Sequence, residues 1–343
     1  MGCSTHTPAI LAQHFAAVSY EGWRAWRVIA GLAATMFLLL FSLGALRAEE
    51  PALEKQTIAY KTVGPTKIHA DVYRRNDDTP RPAVVWIHGG ALIMGNRDGI
   101  PREIRQLCRE QNYVLISLDY RLAPEIKLPG IIEDIQDAFR WIHTDGVRQF
   151  HVDPAKIVVS GGSAGGYLTM MTGICVEPRP RALVTYWGYG DVDGPWYVTP
   201  SAHYRQQPLI SKEDAYRVVG GEVQTGSDSK PRGTYYLYLR QNGLWTREVT
   251  GFDPDTDSAR LDRYCPVRNI TPQYPPILMI HGTADTDVPY QESADMDKEL
   301  TKQGVAHEFV TVEKGGHGLG GGDPQAISAA HQQALAFIRK HLD

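Results

Sequence analysis

Ser163 lies at the centre of Gly161-Gly-Ser-Ala-Gly165, a pentapeptide that fits the pattern G-x-S-x-G of catalytic serines. A short apolar and β-branched run, Ile157–Ser160, precedes it, and an apolar run with helical character, Tyr167–Ile174, follows it. Strand, sharp turn and helix in this order hold a serine hydroxyl clear of a sheet, while small neighbours let other backbone pass close by. The stretch therefore predicts a nucleophilic serine, with a tight turn of another doubly wound protein as the alternative.

A base for this serine is predicted in a loop near the C-terminus. A hydroxyl is a weak nucleophile at its ordinary pKa and needs a base within hydrogen-bond reach. His317 lies in Lys314-Gly-Gly-His-Gly-Leu319, directly after the strand-like run His307–Val312. Because loops at the carboxyl ends of parallel strands gather at one crevice, we expect His317 to take the serine proton there and return it to the leaving group.

An acidic residue is expected to hold the other ring nitrogen of this histidine. The segment His281-Gly-Thr-Ala-Asp-Thr-Asp-Val-Pro289 follows the apolar run Ile277–Ile280 and contains two aspartates. Asp285 is the expected orienter, which fixes the tautomer and stabilises the imidazolium. Asp287 is the alternative orienter, with Asp285 capping a turn instead.

The negative charge that develops on a substrate oxygen needs preorganised donors. Ala164, next to the serine, is expected to supply one backbone amide. A second is expected from a glycine-rich loop with the sequence His88-Gly-Gly-Ala91. Gly90 is the predicted donor, with Gly89 or Ala91 also contributing, and the histidine is expected to brace the loop.

Alternating strand and helix patterns predict the scaffold that positions these loops. Strand-like segments are Gln56–Val63, Lys67–Tyr73, Ala83–Ile87, Tyr113–Leu118, Ile157–Ser160, Ala182–Tyr186, Ile277–Ile280 and His307–Val312, and helical segments are Pro101–Glu110, Ile131–His143, Tyr167–Ile174, Ser293–Lys302 and Pro324–His341. The first two strands are expected to form an antiparallel edge hairpin, and Val152–Lys156 a turn. The alternation predicts an α/β fold whose mostly parallel sheet has helices on both faces.

Together these motifs resemble the α/β-hydrolase superfamily, in its hormone-sensitive-lipase-like and carbohydrate-esterase-like branch. The matching residues are His88-Gly-Gly90, Asp119-Tyr-Arg-Leu-Ala-Pro-Glu125, Gly161-Gly-Ser-Ala-Gly-Gly166, His281-Gly-Thr-Ala-Asp285 and Gly316-His317, and the order serine, aspartate, histidine also agrees. The resemblance implies an α/β-hydrolase fold that hydrolyses carboxylic esters through an acyl-enzyme without a cofactor. It also implies that Asp119–Glu125 is a structural loop near the oxyanion turn. Where many relatives carry a third glycine, this chain has Ala91.

Residues of about 188–276 lack strand–helix alternation and are expected to form a cap, inserted before the strand that carries the acid. Aromatic residues are frequent at Tyr186–Tyr197 and Tyr235–Leu239. They are expected either to bury the small core of the cap or to form an acyl or sugar platform beside Ser163. Asp191 and Asp193 have the spacing of part of a Ca²⁺ loop, but without further spaced oxygens a polar turn is the better interpretation.

Residues 1–48 are expected to lie outside the hydrolase domain, which is predicted at 49–343. Arg24 and Arg27 precede an uncharged apolar run, Val28–Leu46, before polar sequence resumes. The pattern is typical of a secretory signal peptide cleaved after Ala48 and predicts a periplasmic or secreted protein. A retained membrane anchor is the alternative, and a buried helix is a third interpretation.

Composition argues against several classes of partner. The net charge of the 343 residues is −4 without a basic stripe, so nucleic acid is not an expected partner. The 12 histidines show no HExxH or paired-cysteine spacing, so no metal site is expected. Cys108 and Cys175 lie in apolar helical patterns and are predicted to be buried thiols; Cys3 would be lost with a signal peptide, and one disulfide is compatible with the count.

The leading hypothesis is a serine carboxylesterase that acts on short acyl esters of a small molecule or saccharide, with acetyl and feruloyl groups as candidates. Amide hydrolysis by a peptidase-like or formamidase-like enzyme is the alternative. A non-catalytic binding protein on the same fold is the third hypothesis, and it would be favoured by loss of a triad residue. The sequence makes no prediction of the oligomeric state.

Overall fold

An eight-stranded sheet forms the centre of the computed structural model, which describes residues 53–227 and 229–343. The strands are β1 Glu54–Val63, β2 Thr66–Arg74, β3 Arg81–Ile87, β4 Val114–Leu118, β5 Val152–Gly162, β6 Ala182–Tyr186, β7 Ile277–Gly282 and β8 His307–Val312. Their order across the sheet is β1-β2-β4-β3-β5-β6-β7-β8. β1 and β2 form the predicted antiparallel hairpin, β2 pairs antiparallel with β4, and all other pairs are parallel. The predicted mostly parallel sheet is confirmed.

Helices connect the strands and fill the segment before β7. In the described part of the chain they are α1 Arg102–Gln111, α2 Leu128–Trp141, α3 Val147–Phe150, α4 Ala164–Cys175, α5 Pro195–Val198, α6 Lys212–Tyr216, α7 Ser229–Asn242, α8 Trp245–Thr250, α9 Ser258–Leu261, α10 Tyr290–Lys302 and α11 Pro324–Leu342. A π-helical turn, Ile142–Gly146, joins α2 to α3. The segment predicted as a cap carries α5 to α9 between β6 and β7.

Two apolar layers cover the two faces of the sheet. On β3, Val84 and Trp86 belong to the layer that includes α1 and α11, whereas Val85 and Ile87 belong to the layer that includes α2 and α4. Successive side chains of a strand point to opposite faces, so a strand that is covered on both faces must be apolar throughout. This explains why β3 appears in the sequence as a continuous apolar run. The two layers also hold β3 in place in the sheet.

The strand that leads to Ser163 begins earlier than predicted. Val152–Lys156 was expected to be a turn, but β5 starts at Val152, which pairs with Arg81 at the beginning of β3. The pairing then shifts register, and Ala83 lies opposite Ile157. The turn-like residues therefore occupy an irregularity within the strand, which corrects the prediction.

The sequence makes predictions for residues 1–48 and for the cysteines. Residues 1–48, the predicted signal peptide or anchor, lie outside the described residues. Among the helices that the structure describes, none combines the length and apolar character needed to cross a membrane. Cys108 and Cys265 are buried and Cys175, at the end of α4, is only half-buried, so the burial predicted for Cys175 is incomplete; all three are free thiols.

A buried ion pair holds the Asp119–Glu125 loop against α2. The Arg121 Nη2 lies 2.7 Å from Asp134 Oδ1, and its Nε lies 2.8 Å from Asp134 Oδ2. The backbone amide of Arg121 also donates to Asp134 Oδ2 at 3.0 Å. Both side chains are buried, so neither charge has water as an alternative partner.

Removal of Asp134 should therefore destabilise the fold. Asp134→Ala leaves a buried guanidinium without its counter-charge, and we expect a loss of about 3–5 kcal/mol in the free energy of unfolding. The measurement is the urea denaturation midpoint and slope. Asp137→Ala is the matched control, because Asp137 lies on the same helix but is partly exposed and pairs with Lys61 and Arg140; it should cost less than about 1 kcal/mol. Equal losses in the two variants would contradict the assignment.

Candidate active site

Ser163 occupies a strained turn between β5 and α4. Its backbone angles are φ 56° and ψ −124°, a region that costs a non-glycine residue about 1–3 kcal/mol. The surrounding bonds hold it there, since the Ser163 amide donates to the Tyr186 carbonyl at 2.9 Å and the Ser163 carbonyl accepts from the Tyr167 amide at 3.0 Å. The side chain thus stands beyond the carboxyl edge of the sheet, as the pentapeptide predicts.

The two outer glycines of the pentapeptide are required by close backbone contacts. A Cβ added to Gly165 would lie 2.1 Å from the Ile87 carbonyl oxygen. A Cβ added to Gly161 would lie 2.4 Å from the Gly165 oxygen and 2.7 Å from the Ile87 oxygen. Real Cβ atoms do not approach this closely, so both positions exclude any side chain. The turn and the end of β3 therefore pack backbone against backbone.

The side chains of the predicted serine, histidine and aspartate meet at this edge. His317 Nε2 lies 3.1 Å from Ser163 Oγ, and His317 Nδ1 lies 2.8 Å from Asp285 Oδ2. The aspartate side chain is fully buried, whereas that of His317 is 29% exposed. A hydroxyl, an imidazole and a carboxylate are thus in hydrogen-bond series, which is the geometry that serine activation requires.

Asp285 both caps a turn and faces the imidazole. Its Oδ1 accepts the amides of Asp287 and Val288, each at 2.9 Å, while Oδ2 faces His317 and lies 3.3 Å from His281 Nε2. Burial alone would raise the pKa of Asp285, but the hydrogen bonds from His281 and His317 hold it well below its usual range. The carboxylate therefore stays ionised, and the two roles that the sequence treats as alternatives are combined in one residue.

Backbone bonds fix the acid and base loops to each other. The amides of Thr283 and Ala284 donate to the carbonyls of Val312 and Gly315 at 3.0 and 2.9 Å. A Cβ on Gly282 would lie only 2.1 Å from the Gly315 oxygen. The loop after β7 and the loop after β8 are therefore in direct contact, which sets the separation of Asp285 and His317.

The His88–Ala91 loop lies directly beside the serine. A Cβ added to Gly89 would be 2.7 Å from the Gly162 oxygen and 3.3 Å from Ser163 Cβ. Within the described chain, the amides of Gly89, Gly90 and Ala91 donate to no protein acceptor, and the Ala164 amide is at the first position of α4, where no intrahelical partner exists. Gly89 thus adjoins the serine turn, and the four predicted donor amides are not used by protein acceptors in the described residues.

His88 holds this loop in place. Its Nδ1 donates to the Gly89 carbonyl at 2.8 Å, and its ring stacks on Tyr120 at 4.3 Å between centroids. The Tyr120 hydroxyl in turn donates to the His88 carbonyl at 3.0 Å. Burial lowers the pKa of His88 to about 4, so the ring is neutral. These contacts agree with a bracing role and link the Asp119–Glu125 loop to the His88–Ala91 loop.

The loop continues through strained residues that the cap region holds. Gly90, Ala91 and Leu92 have φ values of 110°, 58° and 63°. The last two cost about 1–3 kcal/mol each, which gives a physical reason why a glycine would fit in place of Ala91. The buried Trp245 Nε1 donates to the Ala91 carbonyl at 3.1 Å and therefore stabilises this conformation from α8.

A second contact from the cap region comes from α7. Arg232 Nε donates to the Ile93 carbonyl at 2.7 Å, and its guanidinium pairs with Glu125 at 2.6 Å. Both side chains are about 95% buried, so this is a desolvated ion pair. α7 is therefore fixed both to Ile93, which follows the His88–Ala91 loop, and to the Asp119–Glu125 loop.

Asp287 approaches His317 on the side that faces the serine. Its Oδ2 lies 3.5 Å from His317 Nε2, while Oδ1 accepts a hydrogen bond from Arg240 Nη1 at 2.6 Å. Tyr236 also donates to Oδ1. The His317 Nδ1 is bound by Asp285, and Asp287 makes no contact with it. Asp287, the alternative orienter of the sequence analysis, therefore lies at Nε2 and not at the expected Nδ1.

Arg240 is buried at the centre of an aromatic cluster. Its guanidinium lies 5.0–5.7 Å from the ring centroids of Trp196, Tyr197, Tyr204 and Tyr236. Nearby, Tyr197 stacks on Trp245 at 3.7 Å, and both rings are fully buried. Most cap aromatics therefore form an internal core, whereas Trp187 lies beside the site, 6.1 Å from the His317 ring.

Asp191 and Asp193 use their carboxylates within the protein. Asp191 Oδ1 accepts from the Gly194 amide at 3.0 Å and from Trp196 Nε1 at 3.2 Å. Asp193 pairs with Arg268 at 2.7 Å. The polar-turn interpretation describes Asp191, and within the described residues no cluster of three potential metal ligands is found.

Sequence reasoning missed Arg232, Arg240 and Trp245, whereas Trp187 belongs to the aromatic stretch Tyr186–Tyr197 that it singled out. Each of the missed residues reaches the site or its loops across a long sequence separation, for example 154 residues between Trp245 and Ala91. Arginine within an aromatic-rich segment was the available signal, because a guanidinium stacks on rings and pairs with carboxylates. The hydrophobic periodicity of a sequence does not show which distant loop such a side chain contacts.

The carboxylates around His317 should raise its pKa measurably. Burial and the positive charge of Arg240 lower the pKa of His317. The hydrogen bond to Asp285 and the negative charges of Asp287 and Asp285 raise it by more, so the pKa of His317 lies above its ordinary value. Asp287→Asn removes one negative charge and should lower the pKa, as measured by NMR titration of the His317 ring. Asp297→Asn, which alters the partner of His307, is the control and should leave the His317 titration unchanged. A His317 pKa that stays constant or rises in Asp287→Asn would contradict this account.

Known structures resemble the chain in fold. A protein of unknown function from Staphylococcus aureus matches with a TM-score of 0.68 and 22% identity, covering 84% of this chain and all of that one. Thermogutta terrifontis esterase 2, phosphoramylated by tabun, matches with a TM-score of 0.57 and 23% identity over 86% and 97% of the two chains. A truncated carbohydrate esterase from gut microbiota matches with a TM-score of 0.58 and 20% identity over 86% and 98%.

Curated relatives are larger proteins. A non-reducing polyketide synthase of Penicillium rubens is 24% identical over 84% of this chain, and one of Stereocaulon alpinum is 26% identical over 73%. The chain spans only 14% and 11% of their lengths. A family model described as alpha/beta hydrolase fold matches residues 84–320, which include the serine, aspartate and histidine of the site. The chain therefore belongs to the alpha/beta hydrolase family, as the sequence motifs predict.

Proposed function

We propose that the protein is a serine carboxylesterase that hydrolyses short-chain acyl esters, with acetyl and feruloyl esters of saccharides among the candidates. The proposal rests on one observation, the series Ser163 Oγ–His317 Nε2 at 3.1 Å and His317 Nδ1–Asp285 Oδ2 at 2.8 Å. Its setting among esterase-like folds supports the same reaction class. The unpaired amides beside Ser163 complete the groups that ester hydrolysis needs.

In the proposed reaction, His317 removes the Ser163 proton as Oγ attacks the ester carbonyl carbon. The carbonyl oxygen becomes negative and is held by the amides of Gly89–Ala91 and Ala164. Collapse of this intermediate breaks the bond to the alcohol oxygen, which receives the proton from His317. Water, deprotonated by His317, then attacks the acyl-enzyme and releases the acid, which restores the serine hydroxyl. Asp285 stabilises the imidazolium in both halves.

Loss of the nucleophile should abolish this activity. Ser163→Ala is expected to reduce p-nitrophenyl acetate turnover at least about 10⁴-fold, because no acyl-enzyme forms. The assay is release of p-nitrophenolate under saturating substrate, with Ser258→Ala, an exposed serine, as the control. Unchanged turnover in Ser163→Ala would refute the proposal.

A substrate panel should separate the proposed function from its alternatives. We expect kcat/KM to fall from acetyl through butyryl to palmitoyl esters of p-nitrophenol, and acetylated or feruloylated saccharides to be hydrolysed faster than matched anilides. Preference for palmitoyl esters would contradict the short-acyl assignment, and preference for anilides would favour the amide hydrolase. Absence of turnover with every member would favour a non-catalytic binding protein.

The two aspartates should affect different kinetic quantities. Asp285→Asn removes the negative charge beside His317 Nδ1 and should lower kcat by about 10²–10⁴-fold at all pH values. Asp287→Asn should retain kcat at high pH but extend activity to lower pH, because the base must be neutral and this variant lowers the pKa of His317. The measurement is the pH profile of kcat/KM. A collapse of kcat in Asp287→Asn with little change in Asp285→Asn would reverse the two roles.

We also propose that the protein is exported. The supporting pattern is the basic flank and apolar run of residues 24–46, followed by polar sequence. Expression in a bacterial host and N-terminal sequencing of the exported protein should give Glu49 as the first residue. Full-length protein in the membrane fraction would favour the anchor, and full-length protein confined to the cytosol would contradict export.

A further inference from the structure

Two oxygen atoms lie near the reacting nitrogen of His317, and only one of them belongs to the nucleophile. Ser163 Oγ is 3.1 Å from Nε2, whereas Asp287 Oδ2 is 3.5 Å from it. Hydrogen bonds to nitrogen are usually about 2.7–3.2 Å long, so the serine is within this range and the aspartate is just outside it. A small shift of Asp287 would therefore reverse the order of the two oxygens.

The order of these oxygens matters because Nε2 carries the proton in the proposed reaction. The protonated ring can donate its Nε2–H to a leaving oxygen or to a nearby carboxylate. A hydrogen bond between an imidazolium and a carboxylate is roughly twice as strong as one between neutral groups. A direct bond to Asp287 would therefore keep the proton from the leaving group and favour the charged ring, which cannot act as a base.

Arg240 holds Asp287 at both its side chain and its main chain. The Arg240 Nη1 donates to Asp287 Oδ1 at 2.6 Å, and Nη2 donates to the Asp287 carbonyl at 3.0 Å. The Tyr236 hydroxyl also donates to Oδ1 and accepts from Arg240 Nη1 at 2.6 Å. Because the guanidinium is a planar and rigid fork, these bonds fix the direction in which Oδ2 points.

The surroundings of Arg240 indicate a role for its charge beyond packing. Its side chain is only 3% exposed, and its Nε has no acceptor among the described residues. The hydroxyls of Tyr204 and Tyr236 beside it stay protonated, since burial and the charge of Asp287 raise their pKa values. A buried cation with an unsatisfied donor is costly, and apolar side chains of similar volume often fill such a core equally well.

The charges that act on His317 come from two segments of the chain. Burial lowers the pKa of His317, Asp285 and Asp287 of the loop after β7 raise it, and Arg240 of α7 lowers it. The ring of Trp187, which lies against His317 from the end of β6, is uncharged. Arg240 is therefore the cation that offsets the negative charge of Asp287 at the imidazole.

We propose that Arg240 is a positioning residue that restrains the Asp287 carboxylate. Under this restraint, His317 Nε2 stays bonded to Ser163 and free to pass its proton to the leaving group. The inference rests on the proposed ester hydrolysis for this proton transfer, whereas the restraint itself exists in the free protein. Because Arg240 acts through the position of Asp287, its effect on the histidine requires that carboxylate.

Arg240→Met tests the restraint without a substrate. The released Asp287 Oδ2 should move to within about 3.0 Å of His317 Nε2 in a crystal structure, and the pKa of His317, followed by NMR titration, should rise by about one pH unit. In the Asp287→Asn background no carboxylate is released, so Arg240→Met should raise this pKa less than about half as much. An equal rise in both backgrounds, or a separation that stays at 3.5 Å, would overturn the proposal.

The pH dependence of kcat/KM for p-nitrophenyl acetate should follow the same shift. Because the base must be neutral, Arg240→Met should lower kcat/KM about tenfold more at pH 5 than at pH 9. A purely structural defect would give equal losses at both pH values, and that result would contradict the proposal. Arg232→Met is the control, since it removes another buried arginine of α7, paired with Glu125, and should leave the pH midpoint unchanged.

Two tyrosine variants decide the question if Arg240→Met does not fold. Tyr236→Phe removes one hydrogen bond to Asp287 Oδ1 and should raise the pKa of His317 by a smaller amount. Tyr235→Phe, at the preceding position of α7, removes a hydroxyl that binds Glu248 at 3.0 Å and should leave this pKa unchanged. A His317 pKa that is unchanged in Tyr236→Phe, or that rises equally in both variants, would refute the restraint.

The titration also separates failure of this proposal from failure of the proposed function. It needs no turnover, so a His317 pKa that rises in Arg240→Met supports the restraint even if no ester is hydrolysed, an outcome that would refute only the esterase. Ester hydrolysis by the wild-type protein together with an unshifted His317 pKa in Arg240→Met would refute the restraint alone.

Discussion

Backbone-to-backbone contact between the end of β3 and the turn at Ser163 is the constraint on which the site depends. Gly161 and Gly165 pack against the Ile87 carbonyl so closely that a single Cβ at either position would clash, and Gly89 packs in the same way on Gly162. No side chain therefore lies between the turn at Ser163 and the backbone of Ile87 and Gly89. Their separation is set by backbone packing and not by flexible rotamers, and such preorganisation is what the proposed oxyanion stabilisation would require.

The segment between β6 and β7 helps to stabilise this arrangement. Two buried arginines of this segment contact residues near Ser163 and His317. Arg232 binds the Ile93 carbonyl and Glu125, and Arg240 binds Asp287. Trp245 holds the Ala91 carbonyl and so offsets part of the strain at Ala91 and Leu92. Buried ion pairs are weak evidence for net stability but strongly favour one arrangement, because removing either partner leaves an unpaired charge. α7 and α8 are therefore joined by direct contacts to the segment 91–93 that follows the glycines of the His88–Ala91 loop.

Much of the scaffold was predictable because its signals are local. Continuous apolar runs such as Val114–Leu118 indicate strands that are covered on both faces. A histidine between two glycines, such as His317, is not part of an apolar pattern, and it is therefore predicted to lie in a loop. The part that could not be predicted depends on contacts between distant segments. Asp285 and Asp287 are two residues apart, and only coordinates show that one faces Nδ1 and the other Nε2 of the same ring. Likewise, Tyr235-Tyr-Leu-Tyr-Leu239 has no clear helical face in its sequence. It nevertheless lies in the middle of the helix α7, directly before the buried Arg240.

The carboxylate of Asp287 beside Nε2 also bears on how a catalytic cycle would end. Arg240 and Tyr236 bind its Oδ1, which leaves Oδ2 directed towards the reacting nitrogen. An ester is neutral, whereas the carboxylic acid formed from it is ionised at neutral pH and would lie close to this oxygen and to the ionised Asp285. Like charges at such distances repel, so a site that hydrolysed esters as proposed would bind its charged product less well than its neutral substrate. Product departure, and weak inhibition by accumulated acid, would follow from the same aspartate that adjusts the histidine.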